Sequence, residues 1–167
     1  MQMLSSTDSD YVACPDTHRS ISRFCFSLGL GMVFWSSCQQ KHITLSTCEA
    51  KYVAASEATQ QLIWLHHLLT GLDFHQPTAA PLLCDNNGAI NISTNSTFHT
   101  KLKHIDTKYK FLQECVSDSQ LYLHQVPSKD NIANVFTKAL PYGPFTCFHM
   151  HMGLQDSMQG GVTLQEE

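Results

Sequence analysis

The sequence predicts an α/β domain, a mixed sheet with helices on its faces. Three observations predict it. The stretch "SISRFCFSLGLGMVFWSS" (20 to 37) is rich in β-branched and aromatic residues and broken by glycines. A long helical pattern follows from Ser46 to about Thr70, and beyond it strand and helix signals alternate. A run of strands, then strands separated by helices, is the order of a sheet covered by helices.

Taken in order, residues 1 to 11 supply a first strand, short and polar. Residues 20 to 37 read as two strands joined by a turn at Gly29 and Gly31, a hairpin. In the long helix Tyr52, Val53, Ile63, Trp64 and Leu68 recur near helical spacing among many alanines, and Gly71 closes it. "PTAAP" is a loop, "LLCD" a strand, and 87 to 95 a short helix. Lys103 to Val116 forms a further helix and "QLYLHQVP" (120 to 127) a strand ended by Pro127. "SKDNIANVFTKAL" (128 to 140) opens with an N-cap cluster and reads as a short helix. "QDSMQGGVTLQEE" is a polar tail, so the expected division is one domain over 1–156 and a tail over 157–167, with no internal repeat.

Composition limits the function classes. A hydrophobic content of 43% with 14% charged residues describes a globular chain, and 167 residues suit one domain. No apolar run reaches the length of a membrane span, and "MQMLSSTDSD" lacks the basic and apolar regions of a signal peptide, so an intracellular setting, cytoplasmic or nuclear, is expected. Seven cysteines at irregular spacing contain no C-x-x-C pair, and "HMHM" (149 to 152) lacks paired ligand spacing. Reduced structural thiols explain them better than zinc. The net charge of −4 gives no global footprint for nucleic acid. Locally, "HTKLKHIDTKYK" (99 to 110) gathers Lys101, Lys103, Lys108 and Lys110, a patch able to contact phosphates. A solvated helix face explains it about as well.

The carboxylates carry the sharper signal. Asp8 and Asp10 end the first strand, Glu49 lies in the first turn of the long helix, and Asp85 ends the fourth strand in "LLCDNN". If the first and fourth strands are neighbours, Asp8 and Asp85 sit side by side with Glu49 above. Converging carboxylates repel unless they hold cations, and oxygen-only ligands favour magnesium or manganese. Each acid also has a plain explanation. Asp85 suits a turn, Asp8 a surface, and Ser46-x-x-Glu49 is a capping box.

Five blocks stand in the order of one family: "TDSDY", "FWSSCQQKHITLSTCEAKYVAASEATQQLIWL", "LLCDNNGAI", "FHTKLKHIDTKYKFL" and "VPSKDNIANVFTKAL". Over roughly residues 4 to 156 the chain resembles the ribonuclease H domain at the C-terminal end of copia-type LTR-retrotransposon polyproteins. The resemblance implies a five-stranded ribonuclease H-like fold and metal-dependent hydrolysis of the RNA strand of RNA–DNA hybrids. It implies two magnesium ions, with manganese as a substitute, and a reverse transcriptase domain of the same polyprotein as partner. Asp8, Glu49 and Asp85 match the first three metal-binding acids, and Asn134 stands where the fourth is usually aspartate. Two ions roughly 4 Å apart would activate water and stabilise the leaving oxygen. Asn134 supplies an oxygen without charge, and a unit charge at that distance is worth roughly 4 kcal/mol at an effective dielectric of 20. Impaired hydrolysis is therefore expected, and the alternative is a dead relic that at most binds nucleic acid. The lysines from 101 to 110 are the expected phosphate-tracking surface. His104 and Asp106, in "KHID", match a family signature and are assigned a helix–helix hydrogen bond.

Other positions depart from the family pattern. Lys51 stands where it usually has glutamate, Arg23 where it has glycine, Ile21 where it has threonine, and Cys115 and Cys147 where arginine is common. Ser5 and Ser6 replace glycine and tyrosine, which predicts a weakened first strand. Aspartate to asparagine, glutamate to lysine, glycine to arginine, threonine to isoleucine and arginine to cysteine can each arise by one C-to-T or G-to-A transition. Only Arg19 and Arg23 remain as arginines. A retrotransposon remnant eroded by cytosine deamination or a repeat-directed mutator accounts for the set, with lineage codon bias as the alternative.

Overall fold

The computed structural model describes residues 3–74, 79–94, 106–137 and 139–154, with the backbone alone for 106–109. β1 (Met3–Asp10), β2 (Ile21–Leu28) and β3 (Gly31–Gln39) form an antiparallel meander, followed by α1 (Thr47–Gly71). β4 (Ala80–Cys84), α2 (Asn87–Thr94), α3 (Asp106–Ser117) and β5 (Leu121–Gln125) then alternate, and α4 (Tyr142–His151) comes last. The sheet order is β3-β2-β1-β4-β5, with β4 parallel to β1 and β5 parallel to β4. The expected mixed five-stranded sheet is present, and β1 and β4 are neighbours.

The hairpin turns where glycine permits it. Leu28 pairs with Gly31, and Gly29 takes the first loop position at φ 64. α1 packs on the sheet through Ala50, Ala54, Ala55 and Ala58, whose small side chains let the helix approach closely. Tyr52, Leu62, Leu65 and Leu69 fill the layer between, against Phe24, Phe26 and Leu82. Phe24, Phe26 and Phe34 stack with ring centroids 5.4–6.1 Å apart.

β1 is longer and more central than its polar sequence suggested. Ser5, Ser6 and Thr7 are buried, and the hydroxyls of Ser5 and Thr7 bond to carbonyls of neighbouring strands. Ser5 donates to the Pro81 carbonyl, and Thr7 Oγ1 donates to the Arg23 carbonyl at 3.2 Å. Small hydroxyl residues thus fill a strand flanked on both sides, with backbone ladders supplying its hold.

Two differences concern the C-terminal third. Residues 128 to 140 do not form one helix but two 3-10 turns, Ser128–Asp130 and Ile132–Phe136. Asn131 separates them in an extended conformation, φ −81 and ψ 107, because its side chain is engaged at both ends. Its Oδ1 accepts from the Ala133 amide at 3.1 Å, and its Nδ2 donates to the Thr7 carbonyl at 2.9 Å. α4 is an addition to the expected elements; it carries Gly143 and Pro144 in its first turn, and only Phe148 is buried among its residues. The proposed tail lies outside the described residues. Among the described residues no helix is long and apolar enough to cross a membrane.

Candidate active site

Asp8 lies near the C-terminal end of β1, and Asp85 directly follows β4. Because the two strands run parallel as neighbours, both carboxylates arrive at the same edge of the sheet. They are deeply placed, with side-chain exposures of 6% and 5%. What joins them is Lys51, from the second turn of α1. Its Nζ donates to Asp8 Oδ1 at 2.8 Å and to Asp85 Oδ1 in a closer contact, and its own side chain is 12% exposed.

The electrostatics follow from that burial. Burial pushes the Asp8 carboxyl up, the Lys51 hydrogen bond and charge pull it down, and Asp85 pushes it up again, for a net rise. For Lys51 burial acts downward, but the hydrogen bonds and charges of Asp8 and Asp85 prevail, so the ammonium is held above its ordinary range. Arg23 adds a second cation. It is opposite Asp8 in the β1–β2 register and buried, with Nη1 4.0 Å from Asp10 Oδ2 and Nε donating to Ser37 Oγ at 3.0 Å. Its burial lowers the guanidinium pKa, against the raising influence of Asp10 and then Asp8.

Glu49 takes a different place from the one expected of a metal ligand. Ser46 Oγ accepts from the Glu49 amide at 3.1 Å, while Glu49 Oε2 accepts from the Leu45 amide at 2.7 Å. This is capping at the start of α1. Residues 49 and 51 differ by about 200° around a helix, so both cannot face the aspartate pair. Asn134 is buried, and its Nδ2 donates to the Ser128 carbonyl and, at 3.3 Å, to Ser128 Oγ. The structure therefore brings together Asp8 and Asp85 and adds Lys51 and Arg23, which were noticed in the sequence only as departures. The sequence signal for Lys51 was its departure from the family's glutamate, on the side of α1 opposite Glu49.

The lysine patch is only partly covered. Lys101 and Lys103 lie outside the described residues, as does His104, and Lys108 lies on α3 with its side chain undescribed. Lys110 is exposed on the same helix. The hydrogen bond assigned to Asp106 also falls outside what is described.

The donor set does not fit a divalent ion. A hard cation takes six or more oxygens, several of them charged. Here one oxygen of each aspartate faces an ammonium, Glu49 caps a helix and the Asn134 amide is turned to Ser128. Among the described residues no group of three or more His, Cys, Asp or Glu is placed to hold a metal. A divalent ion about 4 Å from the Lys51 nitrogen would meet roughly 8 kcal/mol of repulsion at an effective dielectric of 20. All seven cysteines are free thiols.

No family model matches the chain. It is 36% identical over 139 residues, 83% of its length, to the retrovirus-related Pol polyprotein from transposon TNT 1-94 of Nicotiana tabacum. It is 30% identical over 148 residues, 89% of its length, to the corresponding polyprotein from transposon RE1 of Arabidopsis thaliana. The chain spans 10% of the length of each of these relatives. Among solved structures it is similar to LC11-RNase H1 isolated from compost, with a TM-score of 0.58 and 15% identity, covering 81% of this chain and 91% of that one. A second structure of that enzyme, with a TM-score of 0.52, 14% identity and coverage of 81% and 93%, is a complex with an RNA/DNA hybrid. The N-terminal RNase H domain of a Mycobacterium tuberculosis protein gives 0.56 at 14% identity, covering 88% and 95%. The chain belongs to the copia-type retrotransposon Pol polyproteins, as a ribonuclease H-like domain of that family.

Proposed function

We propose that this domain is a ribonuclease H-type module for RNA–DNA hybrids whose hydrolysis is silenced in the chain as it stands. The observation that carries this reading is the Lys51 ammonium in contact with both Asp8 and Asp85. Asn134, expected to impair the site by itself, adds a second lost charge. Two acids engaged by a fixed cation leave no place for the magnesium or manganese that the resemblance implies. The retained capacity is contact with the hybrid backbone, through Lys101, Lys103, Lys108 and Lys110, with a reverse transcriptase domain of the same polyprotein raising the local substrate concentration. A decayed relic that only binds nucleic acid is the same reading carried to its limit.

Cleavage of a labelled RNA–DNA hybrid, in magnesium and in manganese, tests it. The natural chain, Asn134→Asp and Lys51→Glu/Asn134→Asp are compared, with Asp85→Asn added to the natural chain and to the double variant as controls. The expected result is no cutting by the natural chain or by Asn134→Asp, because Lys51 still holds the pair, and cutting by the double variant. Cutting by the natural chain that Asp85→Asn abolishes would overturn the silenced reading.

A further inference from the structure

Two carboxylates buried side by side need positive charge nearby to remain ionised. In this chain both nearby cations are its own. Lys51 Nζ contacts Asp8 and Asp85, and Arg23 faces Asp8 across the β1–β2 ladder while its guanidinium lies beside Asp10. Both cations stand at positions where the resemblance calls for an acid or for glycine. Two departures that look unrelated in the sequence converge on one cluster of aspartates.

We propose that Lys51, seconded by Arg23, is a tethered substitute for a divalent cation: it holds Asp8 and Asp85 together, so the domain keeps its fold without metal and takes up no divalent ion at that pair. This deepens the reading of a silenced site and rests on it only in treating Asp8 and Asp85 as the site's carboxylates. Metal uptake and melting are measured here, not cleavage, so this inference and the proposed function can fail separately.

The experiment measures Mn²⁺ binding by electron paramagnetic resonance, and thermal unfolding in chelator or in Mn²⁺. The natural chain is expected to melt at the same temperature in both and to take up no Mn²⁺ that Asp85→Asn abolishes. Lys51→Met should melt about 10 °C lower in chelator, and Mn²⁺ should restore much of the loss. Mn²⁺ uptake by the natural chain that disappears with Asp85→Asn overturns the proposal. So does a Lys51→Met variant that melts like the natural chain in chelator. If Lys51→Met does not fold, Lys51→Met/Asp8→Asn/Asp85→Asn decides. Folding of that triple variant, with no response to Mn²⁺, shows that stranded carboxylates were the defect and supports the proposal. Failure of the triple variant as well shows that Lys51 serves packing and overturns it.

Discussion

Removing the Lys51 charge should cost stability in a pH-dependent way, and the size of the effect can be bounded. Lys51→Met keeps most of the side-chain volume but leaves Asp8 and Asp85 facing each other at 6% and 5% exposure. Breaking a buried pair by removing one partner costs about 3–5 kcal/mol. The variant has one escape, which is to protonate Asp8. Holding a carboxyl of ordinary pKa 3.8 neutral costs about 4.4 kcal/mol at pH 7 and about 1.6 at pH 5, at 1.36 kcal/mol per unit. In the natural chain Asp8 is already raised by burial, against the lowering influence of Lys51; without Lys51 it rises further. The native variant then binds more protons than its unfolded state, so its stability falls as pH rises. Lys51 itself, raised above 10.5 in the fold, stays charged between pH 5 and 8 and contributes no slope there. Its contribution in the natural chain is lost only as pH rises through that elevated value. Urea unfolding of both proteins in chelator, at pH 5 and pH 7, should give a deficit of about 3–5 kcal/mol at pH 7 shrinking to under about 2 at pH 5. A deficit equal at both pH values refutes the electrostatic account and leaves packing as the cause.

Three further outcomes follow from the described geometry. Asn131→Ala removes the bond to the Thr7 carbonyl and the cap on Ala133, so urea unfolding should show a loss of about 2–3 kcal/mol with an unchanged m-value; a loss under about 0.5 would show that the anchor is dispensable. Gly153→Ala places a Cβ 2.0 Å from the Leu30 carbonyl oxygen at φ +71, which should detach the end of α4 from the β2–β3 turn, where the Met32 amide donates to the Met152 carbonyl at 3.0 Å. Faster protease cleavage within α4 is the readout, and natural-chain resistance would contradict the docking. Alkylation at neutral pH should label Cys14, whose thiol is lowered by hydrogen bonding to Thr17, together with the exposed Cys38 and Cys147. Burial pushes Cys25 up to about 12 and Cys84 up to about 11 and also raises Cys115, so these three should react only after unfolding; peptide mass spectrometry showing native-state labelling of Cys84 would contradict its placement.

The hairpin was legible from its β-branched and aromatic residues and the glycine at its turn, and α1 from its length and alanine content more than from an apolar stripe, since Trp64 and Leu68 are exposed. The two 3-10 turns were not, because Asn131 interrupts an N-capped helical pattern through a bond to Thr7, a partner 124 residues away in sequence. α4 was hidden by Gly143 and Pro144 at its start and by the lack of an apolar stripe. At the site, Asp8 and Asp85 could be placed together from strand ends alone, since parallel neighbours bring equivalent ends to one edge. The choice between residues 49 and 51 could not be made from composition. Both fall near the helix start, and only the orientation of α1 on the sheet decides that the first caps and the second reaches the aspartates.

A substitution that abolishes metal binding usually leaves like charges facing one another; in the proposed silencing, a change from glutamate to lysine at position 51 would do the opposite. It would remove an acid and install the counter-ion to Asp8 and Asp85 in one step, so that on the proposed reading silencing and a self-sufficient fold come together. Other departures also land where the fold absorbs them: Arg23 finds Asp10 and Ser37, Ser5 finds the Pro81 carbonyl, and Cys115 sits in the core as a small apolar residue. Persistence of the fold is then no sign that activity is maintained, and erosion by C-to-T and G-to-A changes can proceed without immediate unfolding. Sister copies of the gene should differ mainly by those two transitions. Expressed domains carrying glutamate at position 51 should melt higher in Mn²⁺ than in chelator, while those carrying lysine should not. Sister copies differing by an even mixture of substitution types would remove the erosion account, and a metal response independent of position 51 would remove the link between that lysine and the proposed silencing.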